Sequence, residues 1–304
     1  MTFIIGKKFS PGNIRVFSDI KLTGPNGERL PPKEGTLKIW LPVQDLAIAF
    51  AGNVEAPKEL WSCIKGKFEA GIHWNEILQL TQHIAKNYDH GGSQGAEFIV
   101  SSIRGAGTLA KVTAQEILED QGSCWIGDIE AFEKFQGKFH SAEGAAISDL
   151  AERTDWAFAE FISDGGVESA GHFYFSVRVE YHKNGRPYFD YDLRASTMAG
   201  LAPVTIELAA GEWTNLALGG AEDGISSVST VRSLPGEYTG AGLYFSEGKF
   251  GFFFCPTLGV DALVYKDVDP SQFLQKVSER LGVQVGGFIS SGSGIQRIIY
   301  PSAK

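Results

Sequence analysis

Four short apolar runs fall within the first 51 residues, each bounded by turn-forming residues, and no other feature limits the possible folds as much. Residues 3–7 (FIIGK) and 14–18 (IRVFS) are joined by Ser10-Pro11-Gly12-Asn13, a cluster whose backbone preferences reverse the chain. After a polar loop containing Pro25-Asn26-Gly27 and Pro31-Pro32 come residues 36–42 (TLKIWLP) and 46–51 (LAIAFA), split by a turn at Pro42–Asp45. Runs of this length suit strands rather than buried helices. Four strands in succession must pair, so the chain is committed to sheet from its start.

Helical spacing follows. Leu60, Trp61, Ile64 and Phe68 share one face, and Ile77, Leu80 and Ile84 share another, which predicts two consecutive helices with stripes that pack on a sheet. Strand candidates return at 97–103 (EFIVSSI), 108–113 (TLAKVT) and 122–126 (GSCWI). A short helix near 129–138 and a longer one near 144–163 come next, the second carrying Ile147, Leu150, Ala151, Phe158 and Phe161. Alternation over 172–181 places Phe173, Phe175, Val177 and Val179 on one face, and 187–193 pairs with it around Asn184-Gly185. A compact domain therefore closes near residue 195. Residues 196–304 are a strand-rich C-terminal region with strand candidates at 203–208, 241–246, 249–255, 287–290 and 296–300 and a helix at 271–281. Its role is not readable from the sequence.

Composition removes several function classes. With 304 residues, 43% of them hydrophobic, the chain can bury a full core, and 21 Phe with 37 Gly agree with strands and tight turns. A net charge of −9 without any dense Lys/Arg run argues against binding nucleic acid, which needs clustered positive charge to release counterions. No apolar run reaches bilayer length, and the first residues show no basic segment, long apolar stretch or small-residue cleavage site, so no membrane association is expected and the chain reads as cytoplasmic. Cys63, Cys124 and Cys255 are widely separated and suggest neither a disulfide framework nor a zinc site. The histidines at 73, 83, 90, 140, 172 and 182 show no ligand spacing, and Ser290-Ser291-Gly292-Ser293-Gly294 lacks the lysine of a phosphate loop. Neither a metal nor a cofactor is expected.

Within this order of elements, Thr2, Asp19, Lys38 and Gly52 occur in a sequence that resembles the proteasome β-subunit and HslV-like N-terminal-nucleophile hydrolases. In that family a mature chain starts with Thr, runs through a hairpin to an Asp, and later supplies a Lys and a Gly. Asp19-Ile20-Lys21-Leu22-Thr23 is similar to the family's Asp-Ser-Arg-Ala-Thr, and Ala51-Gly52 follows Lys38 by the family's interval. The resemblance covers roughly residues 2–195. It implies an α+β fold, a four-layer αββα sandwich of two antiparallel sheets, and an assembly of identical subunits, possibly a ring.

The same resemblance implies a threonine-type amide or peptide hydrolase with Thr2 as nucleophile once Met1 is removed. Asp19 and Lys38 would be its catalytic partners, the Gly52 amide its oxyanion donor, and Lys21, Thr23 and Phe50 its substrate contacts. Two positions depart from the pattern. Asp128 stands where the family has a serine, and the acid before Ser169-Ala170-Gly171 is replaced by Gly166, leaving Asp164 as the nearest substitute. Asp128, Asp164 and Ser169 are therefore the supporting candidates. The chemistry fits the residue types: a threonine hydroxyl needs a base within reach, a free N-terminal amine supplies one, and a neighbouring ammonium favours loss of the hydroxyl proton. A non-catalytic assembly or binding protein of the same fold and a small-molecule amidase or acylase are the other two readings.

Overall fold

The computed structural model describes residues 2–20, 35–67, 72–89, 95–163, 174–192, 204–209, 212–216, 228–233, 240–245, 249–255, 262–291 and 294–300. The chain divides into two compact units, Met1–Asp19 with Lys38–Asp190, and Ile20–Leu37 with Tyr191–Lys304.

In the first unit the N-terminal hairpin is β1 (Phe3–Ser10) and β2 (Asn13–Asp19), turned by Pro11-Gly12, where Gly12 adopts φ +74°. Next come β3 (Ile39–Val43), β4 (Leu46–Gly52), α1 (Glu55–Ile64), α2 (Trp74–Asn87), β5 (Ala96–Ser102), β6 (Thr108–Val112), β7 (Ile117–Leu118) and β8 (Ser123–Gly127). The unit continues with α3 (Ile129–Phe139), α4 (Ala142–Ala146), α5 (Leu150–Ser163), β9 (Tyr174–Tyr181) and β10 (Pro187–Asp192). Two five-stranded sheets result, ordered β10-β9-β2-β1-β8 and β3-β4-β5-β6-β7, with antiparallel pairing in both.

Each sheet buries its outer face under helices. Phe3, Ile5 and Phe17 of the first sheet pack with Ala131, Phe135 and Phe139 of α3 and Ala157, Phe158, Phe161 and Ile162 of α5. Ile48, Phe50, Phe98, Val100, Ala110 and Val112 of the second sheet pack with Leu60 and Ile64 of α1 and Ile77, Leu78 and Ile84 of α2. The inner faces meet directly: a methyl group built on Gly6 of β1 would lie 3.0 Å from Leu109 and 3.2 Å from Ile99 of the other sheet. This is the four-layer αββα sandwich expected from the sequence. Inner and outer faces are both largely apolar, which is why β4 reads as a continuous hydrophobic run rather than an alternating one.

One expected helix is two. Rather than running through 144–163, the chain leaves the helix at Ile147 (φ −84°, ψ 109°), and Asp149 then caps α5 by accepting hydrogen bonds from the Ala151 and Glu152 amides at 2.9 and 2.8 Å. Leu150, read as part of the buried stripe, is 55% exposed as a result. The Asp capping preference overrides the apolar periodicity across the break. β7 was not foreseen because two residues carry no period.

The second unit holds β11 (Val204–Ala209) paired with β12 (Glu212–Leu216), and a six-stranded antiparallel sheet. That sheet is built from β13 (Val228–Ser233), β14 (Ala241–Phe245), β15 (Phe250–Phe254), β16 (Leu263–Lys266), β17 (Val285–Ser291) and β18 (Gly294–Tyr300), in the order β16-β15-β14-β13-β17-β18. Helix α6 (Pro270–Leu281) packs on it through Phe273, Leu274 and Val277 against Tyr244, Phe253 and Val285. Its start is a full capping box of Asp269 and Gln272 with Pro270 at the first turn, and Gly282 ends it at φ +67°. Gly251 lets the Phe273 ring rest on the strand, since a methyl group there would lie 2.6 Å from that ring.

Phe158 is the hub of the α3–α5 layer, fully buried with ring centroids 5.3 to 6.1 Å from Phe3, Phe17, Phe135, Phe161 and Tyr174. Phe158→Ala is expected to cost about 3–5 kcal/mol, read as a lowered urea midpoint with an unchanged slope. A loss below about 1 kcal/mol would mean that this layer does not hold the sheet.

Candidate active site

Asp19 ends β2 and Lys38 immediately precedes β3, and their side chains meet in the interior. Lys38 Nζ donates to Asp19 Oδ1 at 3.0 Å and Oδ2 at 3.1 Å, with the two side chains 1% and 0% exposed. Lys38, expected inside a strand of 36–42, lies one residue before it; its carbonyl still accepts from the Phe50 amide of β4 at 3.0 Å. Lys38 is therefore an interior residue and not a solvent-facing one on an edge strand. Burial pushes the Lys38 ammonium below its ordinary value of 10.5, and the charge and hydrogen bonds of Asp19 pull it back up.

The same carboxylate reaches β1. Asp19 Oδ1 accepts from the Phe3 amide at 3.4 Å, while on the other side the Thr2 carbonyl accepts from the Asp128 amide at 2.8 Å. Thr2 is thus held at its carbonyl and at the following amide, and is 7% exposed. Phe3 secures the position further, fully buried among the rings of Phe132, Phe135, Phe158 and Phe161. Thr2, Asp19 and Lys38 are thereby brought to one place by β1, β2 and the approach to β3.

Gly52 ends β4 at φ +94°, and a methyl group built on it would lie 1.7 Å from the Gly95 carbonyl oxygen. Only glycine fits there. Gly127 ends β8 in the same way, at φ +96°, with its absent Cβ 1.8 Å from the Thr2 carbonyl oxygen and 3.4 Å from the Ala51 Cβ. The ends of β4, β8 and β1 therefore converge, bringing Ala51-Gly52 to the Thr2 neighbourhood.

Two other candidates have definite surroundings. The Asp128 carboxylate caps α3, with Oδ1 accepting from the Glu130 and Ala131 amides at 2.8 and 3.2 Å, so its contact with Thr2 runs through the backbone. Phe50, read as a pocket residue, is 3% exposed in the cluster beneath α1 and α2 and stands edge-on to Trp40 at 5.8 Å. Lys21, Thr23, Asp164 and Ser169 lie outside the described residues.

Glu97 was missed by sequence reasoning. It faces Ala51 across β4–β5, and its Oε2 accepts from the Gly127 amide at 2.9 Å while Oε1 lies 3.6 Å from Lys111 Nζ. The bond ties one sheet to the other at the end of β8. No local signal marks it, because the partners are thirty residues apart and belong to different sheets. Elsewhere, burial pushes the Cys124 thiol up to about 12, which leaves it protonated at neutral pH. Among the described residues no three His, Cys, Asp or Glu side chains converge as a metal site.

No family model and no curated protein matches the sequence. Among solved structures, the Gly-1 mutant of Anbu from Hyphomicrobium sp. strain MC1 is similar over 64% of this chain and 88% of its own, with a TM-score of 0.47 and 12% identity. At that distance the chemistry of the site has to be read from this chain's own residues. No helix among the described residues is long and apolar enough to cross a membrane.

Removing one partner of the ion pair leaves the other charge buried. Asp19→Leu is expected to lose about 3–5 kcal/mol of stability, and Asp19→Leu with Lys38→Met to regain most of it. Denaturation of the two single variants and the double variant measures the coupling. Simple additivity would show that the two charges do not depend on each other.

Proposed function

We propose that this chain hydrolyses amide or peptide bonds with the Thr2 hydroxyl as nucleophile, after loss of Met1 frees the Thr2 amine. The observation that carries the reading is the buried Lys38–Asp19 pair fastened, through the Phe3 amide, to the strand end that bears Thr2. In the reaction the free amine takes the hydroxyl proton and Oγ attacks the substrate carbonyl carbon. The tetrahedral oxyanion is stabilised by the Gly52 amide, the amine product leaves with the proton, and water releases the acyl group from Oγ. Lys38 favours the alkoxide by placing positive charge beside it, and Asp19 holds that ammonium in place. Lys21 and Thr23 contact the substrate backbone, with Asp164 and Ser169 supporting the proton network. The reading also implies self-assembly of identical subunits, possibly into a ring, and a cytoplasmic setting.

A second reading, a non-catalytic assembly or binding protein of the same fold, is favoured by one observation. Asp128 stands where a serine hydroxyl would serve the proton network, and its Oδ1 is already engaged by two amides of α3.

Intact-mass measurement of the purified protein is expected to show the chain without Met1; retention of Met1 removes the free amine and sinks the hydrolase reading. Against a panel of peptides and small amides, Thr2→Ala is expected to lower turnover by a factor on the order of 10³ or more with unchanged assembly in native mass spectrometry. A trimmed wild-type chain that turns over none of them favours the second reading, and turnover of small amides alone identifies an amidase or acylase.

A further inference from the structure

The two halves of the candidate site belong to different sheets. Thr2 immediately precedes β1 of the β10-β9-β2-β1-β8 sheet, whereas Gly52 ends β4 of the β3-β4-β5-β6-β7 sheet. The ladder within one sheet does not fix the distance to the other, so the spacing of a nucleophile and an oxyanion donor placed in this way depends on bonds that cross between the layers. Lys38 and Asp19 cross on the β2 side. Glu97 crosses on the β8 side.

Glu97 is connected to both halves. Within its own sheet it stands opposite Ala51, and the next pair in the register sets Ala96 opposite Gly52. Its carboxylate leaves that sheet: Oε2 accepts from the Gly127 amide at 2.9 Å, and Lys111 Nζ lies 3.6 Å from Oε1. Because β8 is the last strand of its sheet, this amide finds its acceptor in the other layer rather than in a further strand. The Gly127 backbone in turn lies against the Thr2 carbonyl oxygen, 1.8 Å from where a Cβ would stand, and the Asp128 amide donates to that oxygen at 2.8 Å. Gly127-Asp128 is therefore held by Glu97 at one amide and by Thr2 at the next.

We infer, on the hydrolase reading, that Glu97 is a positioning residue of the candidate active site, which through the Gly127 amide sets the Thr2 strand end at a fixed distance from the Gly52 amide. In that reaction Oγ attacks a carbonyl carbon whose oxygen has to meet the Gly52 amide at the same moment. A misplacement of about an ångström between such groups costs on the order of 10²-fold in rate. Apolar contact between the sheets sets their separation but leaves sliding cheap, whereas a carboxylate accepting an amide proton also fixes direction.

The Glu97 side chain is 35% exposed, so truncating it leaves the apolar clusters in place. In the full-length protein without Met1, Glu97→Ala is expected to lower kcat about tenfold or more on an amide or peptide that the wild type turns over, with KM within about twofold. Glu97→Gln keeps an oxygen for the Gly127 amide and is expected to recover kcat to within about threefold of wild type. Urea midpoints of the three proteins scale each rate to the folded fraction. In amide NMR spectra the Gly127, Asp128 and Phe3 resonances are expected to move in Glu97→Ala and to return in Glu97→Gln. Wild-type kcat in Glu97→Ala, or equal losses in the two variants, would overturn the inference and leave the hydrolase reading standing. A trimmed wild-type chain without turnover would end both.

Discussion

Lys38 and Asp19 meet where β2 ends and β3 is about to begin, withdrawn from water and joined by two hydrogen bonds. Taking both ions out of water costs several kcal/mol per ion before their attraction offsets it, and an apolar pair of similar volume would hold the same strands as well or better. Stability alone does not account for the pair. What an apolar pair would not supply is a fixed positive charge and a carboxylate able to accept the Phe3 amide. The start of β1, the end of β2 and the approach to β3 are therefore placed relative to one another by polar geometry rather than by packing alone.

The backbone completes that placement from the opposite direction. Gly52 and Gly127 occupy conformations closed to other residues, and in each the missing side chain is replaced by a carbonyl oxygen of a neighbouring strand. Glu97 then reaches across from β5 to the Gly127 amide, so the two sheets are pinned at the Thr2 end by a charge-assisted hydrogen bond as well as by apolar contact.

Much of the fold was legible because its signals are local. The Pro11-Gly12 turn, the runs that became β3 to β6, the helical stripes of α1 and α2 and the Asn184-Gly185 reversal all act within a few residues. Asp149 was legible in principle as a cap, but a strong apolar period spanning it concealed the break between α4 and α5. In the second unit β12, β13 and β16 lack apolar alternation and went unseen, whereas β14 and β15, rich in Phe, were found. Within the candidate site, Thr2, Asp19, Lys38 and Gly52 came from their order in the chain, an order the topology brings to one place. Glu97 was not readable, because its importance arises only where two sheets meet. Asp128 shows the opposite limit: its position was identified, but its carboxylate serves the start of α3.

Phe3 carries a consequence of timing. Its ring is enclosed by four others and its amide is held by Asp19, while Thr2 beside it is largely covered. A peptidase that removes Met1 has to admit the bond between Met1 and Thr2 to its own cleft, which requires an extended, accessible chain end. With β1 seated Thr2 is largely covered, so on the hydrolase reading the bond before it is cut most readily while the strand is still unformed.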